Sequence, residues 1–259
     1  MLSFKKINII FLLFVLILFG LLKQELHLSK WWLLVVVIIW LTLTIIGSFH
    51  IRWNYFLKAN HKNNQIKENV IALTFDDGPN KVYTPKVLTL LKKHHAKATF
   101  FCIGENVKGH PELLRQIVSD GHLIGNHSYH HKNSFGFLTA KKVLEELENT
   151  NKMIEDTANL KVQFFRPPFG VTNPNISKAV KKLNLHTFGW SIRSLDTVAK
   201  DPEKVYQKII HKIRKGDVVL LHDSSELSIV VLEKVLKYLD QNDIRTITLD
   251  KLFNLKAYA

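Results

Sequence analysis

From Val70 onward the chain of 259 residues alternates short apolar runs with amphipathic stretches, and that alternation constrains its fold more than any other feature. Strands are expected at 70–75, 98–103, 122–126, 162–166, 186–192, 217–221 and 244–248. Helices are expected at 84–94, 111–119, 139–157, 174–183, 202–214 and 226–240. Pro111 falls in the first turn of its helix and Gly121 just past the end, where each residue suits a helix boundary. Strands that are each followed by a helix imply parallel pairing through right-handed crossovers. Such a chain closes into a βα barrel or opens into a doubly wound sheet, and periodicity does not choose between them. In both, functional groups belong at the carboxyl ends of the strands.

The polar residues gather at those ends. Val70-Ile71-Ala72-Leu73 runs into T-F-D-D-G-P (Thr74–Pro79), so a buried strand finishes on Asp76 and Asp77 before a Gly-Pro breaker. Neighbouring carboxylates in one site divide their roles: one can bind a metal while the other takes protons. The third strand ends on Asn126-His127-Ser128-Tyr129-His130-His131. In a helical turn, His127 and His131 at i and i+4 share a face and can chelate one ion; alone, the same spacing suits a His-rich surface loop. Two imidazoles and a carboxylate make a three-ligand site with open positions for water, as a metal hydrolase needs. Arg166, between Phe165 and Pro167, is held by a stiff backbone and can fix a carboxylate bidentately. His222 emerges from Val218-Val219-Leu220-Leu221 at a rim position that suits a general acid. The one cysteine, Cys102, sits in an apolar strand and reads as structural.

Before residue 70 the composition changes. Ile7–Leu22 and Trp31–Gly47 are each close to the roughly 20 apolar residues that cross a bilayer. The first resembles a signal-peptide core after Lys5-Lys6, but no small-residue cleavage site follows and a second span comes at once. Residues 1–50 therefore read as a transmembrane hairpin turning at Lys23–Lys30, 51–69 as a polar basic linker, and 70–259 as the soluble domain. Of the net charge of +14, +7 lies within residues 1–67, where it can meet anionic headgroups. No basic stripe with interleaved aromatics exists, so nucleic acid is not an expected partner.

These motifs together resemble the polysaccharide deacetylases of the NodB-homology type, the carbohydrate esterase family 4 domain, over roughly Val70 to Phe253. T-F-D-D-G-P, H-S-Y-H-H, R-P-P-F-G and L-L-H-D occur in the family's order. The resemblance implies a distorted (β/α)7 barrel, here preceded by two N-terminal transmembrane helices. It implies Asp77, His127 and His131 as ligands of one divalent metal ion, zinc first, and Asp76 as general base with Arg166 as its positioning partner. It further implies His222 as general acid oriented by Asp196, Leu220 as a wall of the acetyl-methyl pocket, and the Phe169 N–H as oxyanion donor. The expected reaction is hydrolytic deacetylation of N-acetylated sugars in a glycan such as peptidoglycan or a chitin-like oligomer.

The fourth motif departs from the family's D-x-x-D-W: this chain has Arg193-Ser194-Leu195-Asp196-Thr197, which changes the groove wall and not the orienting acid. Alternatives are O-acetyl or formyl removal from a lipid-linked sugar, a catalytically silent glycan-binding protein, and an iron oxygenase sharing the two-His-one-carboxylate set. The expected place is a bacterial-type cell membrane, with the bilayer and a glycan as partners. Lys/Arg placement favours both ends inside, whereas a wall polymer would need the domain outside.

Overall fold

The computed structural model describes residues 3–23, 29 and 31–259. Helices α1 (Phe4–Lys23) and α2 (Trp31–Phe49) come first; the turn expected at Lys23–Lys30 falls largely outside the described residues. Each helix offers a 19-residue apolar span, roughly 28 Å against a hydrocarbon core of about 30 Å. Most of their side chains are exposed. Asn8, a polar interruption in the first span, accepts a hydrogen bond from Trp40 Nε1 at 2.8 Å, so it is satisfied between the helices. Phe4 N–H donates to Tyr55 O and Thr172 N–H to Ser48 O, both at 2.9 Å, and these bonds tie the helix pair to the domain.

The remaining elements are β1 (Ala59–Asn60), β2 (Val70–Asp76), α3 (Tyr83–Lys93), β3 (Ala98–Cys102), α4 (Gly104–Gly109), α5 (Pro111–Ser119), β4 (Leu123–Asn126), α6 (Ala140–Ala158), β5 (Phe164–Phe165), α7 (Pro174–Lys182), β6 (His186–Phe188), β7 (Ile192–Arg193), α8 (Pro202–Ile210), β8 (Val218–His222), α9 (Glu226–Gln241), β9 (Arg245–Thr246) and α10 (Leu249–Phe253). Helix starts follow local chemistry: Thr139, Asn173, Asp201 and Ser225 each cap a helix with a side-chain oxygen. The strands order as β1-β6-β5-β4-β3-β2-β8-β7, with β9 on the amino end of β2. Every pairing among named strands is parallel.

Closure of this sheet uses two segments that the sequence reading placed differently. The strand expected over 186–192 is two strands: β7 at one end of the order and β6 next to the terminal β1 at the other. Only residues 189–191 join them, a link of roughly 14 Å at most, so the two edges are held together. Residues 51–69, read as a linker, are packed into the domain: Ile51, Tyr55 and Leu57 are buried and β1 pairs with β6. Beyond β1, Asn63 N–H donates to Gly216 O at 2.9 Å, so this segment spans from β6 to the residues just before β8. At the other end of the gap, Ser191 N–H donates to Val218 O at 3.0 Å. A distorted barrel results, as the resemblance implies.

Strand alternation then decides what faces the barrel interior. Ile71, Leu73 and Phe75 of β2 join the cluster that packs under α3 and α9, while Val70 and Ala72 join the interior cluster with Phe101, Phe164 and Val218. Continuing the same face upward brings Thr74 and Asp76 to the carboxyl rim. On β8 the interior face reads Val218, Leu220, His222, and Asp76 is the register partner of His222.

Candidate active site

Asp76 and Asp77 leave the end of β2 in different directions. Asp76 is buried and its Oδ1 accepts from Arg166 Nη1 at 2.7 Å. Arg166 is itself wholly buried: Nη1 also donates to Thr74 Oγ1 and Nη2 to Gly189 O, each at 2.8 Å, while Phe101 stacks 4.2 Å from the guanidinium. The expected bidentate fork is absent because the second nitrogen is used on Gly189. Asp77 takes the left-handed conformation at φ 74, which turns its side chain away from that pair. Asn106 Nδ2 donates to Asp77 O at 2.7 Å. Gly78 follows because any Cβ there would run into the Asp223 carboxylate, which Thr84 Oγ1 holds by a hydrogen bond.

Asp77 Oδ1 lies 3.5 Å from His127 Nε2 and 3.4 Å from His131 Nε2, and it is buried without a hydrogen-bond partner among the described residues. Burial alone would raise this carboxyl, but the close His127 and the nearby His131 and His222 imidazoles hold it well below the usual range. His127 Nδ1 donates to Arg166 O at 2.7 Å, leaving the Nε2 lone pair aimed at Asp77. Burial and the neighbouring His127 push His131 down to about 4, so its ring is neutral at ordinary pH. Three donor atoms, one from each of Asp77, His127 and His131, lie within 4.8 Å of one another. An orphaned carboxylate oxygen facing two imidazole lone pairs fits one divalent cation.

The two histidines do not converge through a helical turn. Residues 127–131 form a loop in which Ser128 and His131 take positive φ, 65 and 51. Glu146 on α6 shapes it: Tyr129 N–H and His130 N–H both donate to Glu146 Oε2 at 3.0 Å, and His130 Nδ1 lies 2.6 Å from Oε1.

Across the rim, His222 Nδ1 lies 2.8 Å from Asp196 Oδ1. Asp196 also accepts from His222 N–H, from Ser228 Oγ and from Ser194 Oγ at 2.9, 2.8 and 2.6 Å. Burial would raise Asp196, but His222 and the two hydroxyls hold it low. Burial likewise opposes the imidazolium of His222, yet Asp196 outweighs it and raises the ring to about 9. Its Nε2 points back to the centre, 3.9 Å from Asp77 Oδ2. A cavity of about 150 Å³ lies between these groups, walled by Phe169, Trp190, Arg193, Thr197 and Leu220. Phe169 stands at φ 59 with its ring 4.7 Å from that of His131, and nothing among the described residues accepts from its N–H.

All nine residues singled out from the sequence therefore converge. Seven line the cavity, while Arg166 and Asp196 stand behind Asp76 and His222. Thr74, Asn106, Glu146, Ser194 and Ser228 were not anticipated. Ser194 carries a local signal, a hydroxyl two residues before an acid; the others act across long sequence separations.

The arrangement matches known proteins. The sequence profile of the polysaccharide deacetylase family matches residues 63–188. A peptidoglycan-N-acetylglucosamine deacetylase of Bacillus cereus is 34% identical over 197 residues, covering 73% of this chain and 90% of that protein. The peptidoglycan-N-acetylmuramic acid deacetylase PdaA of Bacillus subtilis is 37% identical over 163 residues, 61% of this chain and 62% of its own length. The crystal structure of the Bc1960 peptidoglycan N-acetylglucosamine deacetylase superposes with a TM-score of 0.70 at 30% identity, over 74% of this chain and 92% of that one. That family implies a divalent metal, for which the Asp77–His127–His131 cluster is the fitting place. With barrel, strand-end residues and relatives in agreement, the chain belongs to the polysaccharide deacetylase (NodB-homology, carbohydrate esterase 4) family.

Proposed function

We propose that this protein is a membrane-anchored, zinc-dependent N-deacetylase of glycans that contain N-acetylated sugars, with a cell-wall peptidoglycan as the leading substrate. The observation that carries this reading is the unpartnered Asp77 Oδ1 facing His127 and His131 beside a second carboxylate, Asp76, that is not turned towards them in the same way. Held by Asp77, His127 and His131, a divalent ion supplies Lewis-acid activation of water and of the acetamide carbonyl. Asp76 acts as general base: Arg166 occupies its Oδ1 and leaves Oδ2 to take the proton of the attacking water. The free Phe169 N–H donates to the oxyanion that develops on the carbonyl. Asp196 fixes His222 with Nδ1 protonated, so that Nε2 delivers a proton to the departing amine. Leu220 and Trp190 give the acetyl methyl an apolar wall. Acetate and a free amino sugar are the products.

Two apolar helices tied to the domain by backbone hydrogen bonds support the membrane anchor and a bilayer partner. A reporter fused after Ala259 that is active only outside the cell would place the domain with the wall; activity only inside would favour a lipid-linked precursor. The direct test incubates the full chain in detergent with zinc and N-acetylglucosamine oligomers and measures acetate. Release that EDTA abolishes and zinc restores is expected. No release while zinc occupies the three-ligand site would overturn N-deacetylation of these sugars.

A further inference from the structure

The catalytic cavity carries a cation that the reaction does not use. Arg193, at the end of β7, is exposed, lines the cavity beside His222 and Thr197, and stands 5.5 Å over the Trp190 ring. Among the described residues it pairs with no carboxylate, unlike Arg166, which is committed to Asp76. Further cations flank it. Arg52 Nη1 donates to Ser191 O at 3.4 Å and Lys208 Nζ to Ser194 O at 3.5 Å, so both reach the segment that holds Arg193 from either side. Neither pairs with an acid among the described residues. The mutual proximity registers on Lys208, which burial, Lys212 and Arg193 all push down. On the other wall Asp76 is paired with Arg166 and Asp77 faces His127 and His131, so the guanidinium left unspent is Arg193, at the β7 side of the mouth. A guanidinium in water-exposed reach of a ligand selects planar or tetrahedral oxyanions by paired N–H donors.

We propose that Arg193 is a specificity-determining residue that recognises an anionic substituent, a carboxylate or a phosphate, on the sugar being deacetylated or on its neighbour in the glycan. The inference rests on the deacetylase reading above and narrows its substrate to acidic glycans. Arg193 touches the substituent and not the reacting acetamide, so its contribution appears in KM and in salt dependence.

The test uses the full zinc-loaded chain in detergent and three substrates: neutral N-acetylglucosamine oligomers, oligomers bearing a lactyl-ether carboxylate on alternate sugars, and oligomers bearing a phosphate monoester. Wild type is expected to prefer one acidic series over the neutral one by about tenfold in kcat/KM, and whichever series shows the preference identifies the anion. Rising sodium chloride should erode that preference. Arg193→Gln should bring the acidic-to-neutral ratio close to one, and Arg193→Lys should restore part of it. Equal kcat/KM on all three substrates in wild type, or a preference that survives Arg193→Gln, would overturn the inference while leaving the deacetylase reading intact. Absence of acetate from every substrate would overturn both.

Discussion

Asp76, at the end of β2, and Asp196, in the loop just past β7, serve the catalytic cavity from different walls, and the protein treats them in opposite ways. Asp196 is saturated: His222 contributes two donors and Ser194 and Ser228 one each, so no lone pair is left for substrate. Asp76 has its one strong partner, Arg166, on Oδ1, and its Oδ2 lies 3.7 Å from His127 Nε2 at the cavity. The partner also differs in kind. Arginine keeps its charge at any working pH, whereas histidine can give a proton away. On the proposed mechanism the same side chain thus serves as a fixed orienting anchor on one wall and as a proton acceptor on the other. What separates them is the number of donors each receives and whether the partner titrates.

The contrast breaks most sharply at Asp76. Asp76→Asn keeps the Oδ1 acceptor for Arg166 but removes the proton-accepting oxygen. Turnover should fall by about a thousandfold or more. Zinc affinity, measured by calorimetry, should stay near wild type because Asp77 and both histidines are untouched. A variant that releases acetate at the wild-type rate would remove Asp76 from the role of base. Next in size is Arg166→Met, which strands Asp76 as a buried carboxylate without its cation. A loss of about 3–5 kcal/mol in denaturant unfolding is expected. Asp76→Asn combined with Arg166→Met should recover much of that loss, since no uncompensated charge remains.

The titratable wall responds to pH instead. In EDTA-treated protein the folded His222 titrates near 9, against about 6.5 in an unfolded chain. A folded pKa above the unfolded one means that the stabilisation is complete below about pH 6.5 and disappears as pH rises through about 9. The full difference corresponds to an upper limit of about 3–4 kcal/mol. Denaturant midpoints measured between pH 6 and 10 should show this decline in wild type and a flatter profile in Asp196→Asn. Equal slopes in the two proteins would mean that Asp196 does not set the protonation of His222.

The sequence reveals one half of this design much better than the other. Asp76, Asp77, His127, Arg166 and His222 stand where apolar runs end, and period-two alternation carries Asp76 and His222 to the same interior face. Backbone pairing partners are less visible. The run 186–192, H-T-F-G-W-S-I, mixes polar and apolar residues on both sides of Gly189 with no other breaker, so periodicity cannot show that its halves pair with different neighbours. Strand β1 contributes two residues within a polar stretch, too few for any period. Helix α4, G-E-N-V-K-G, lacks an apolar stripe, yet it supplies Asn106 to hold the Asp77 carbonyl. Ser228 and Glu146 belong to ordinary amphipathic helices and act across 32 and 16–17 residues of sequence. Such contacts are set by how helices pack on the barrel, which local pattern does not encode.

Glu146 offers the finest probe of the contrast between the two walls, because it does for the metal side what Ser194 and Ser228 do for Asp196. Its carboxylate gathers two backbone N–H groups and the His130 ring, and that grip holds the loop in which Ser128 and His131 adopt positive φ. Left-handed conformations at residues other than glycine persist only when surrounding contacts enforce them. Glu146→Gln keeps one acceptor oxygen but loses the charge, so the loop should loosen without unfolding. Zinc affinity should fall by about tenfold, at the lower end of what outer-sphere changes produce. Turnover at saturating zinc should recover, since no reacting group has been altered. A variant with unchanged zinc affinity would show that the 127–131 loop holds its shape through Ser128 and the backbone alone, and that only the acid wall depends on a dedicated outer ring of donors.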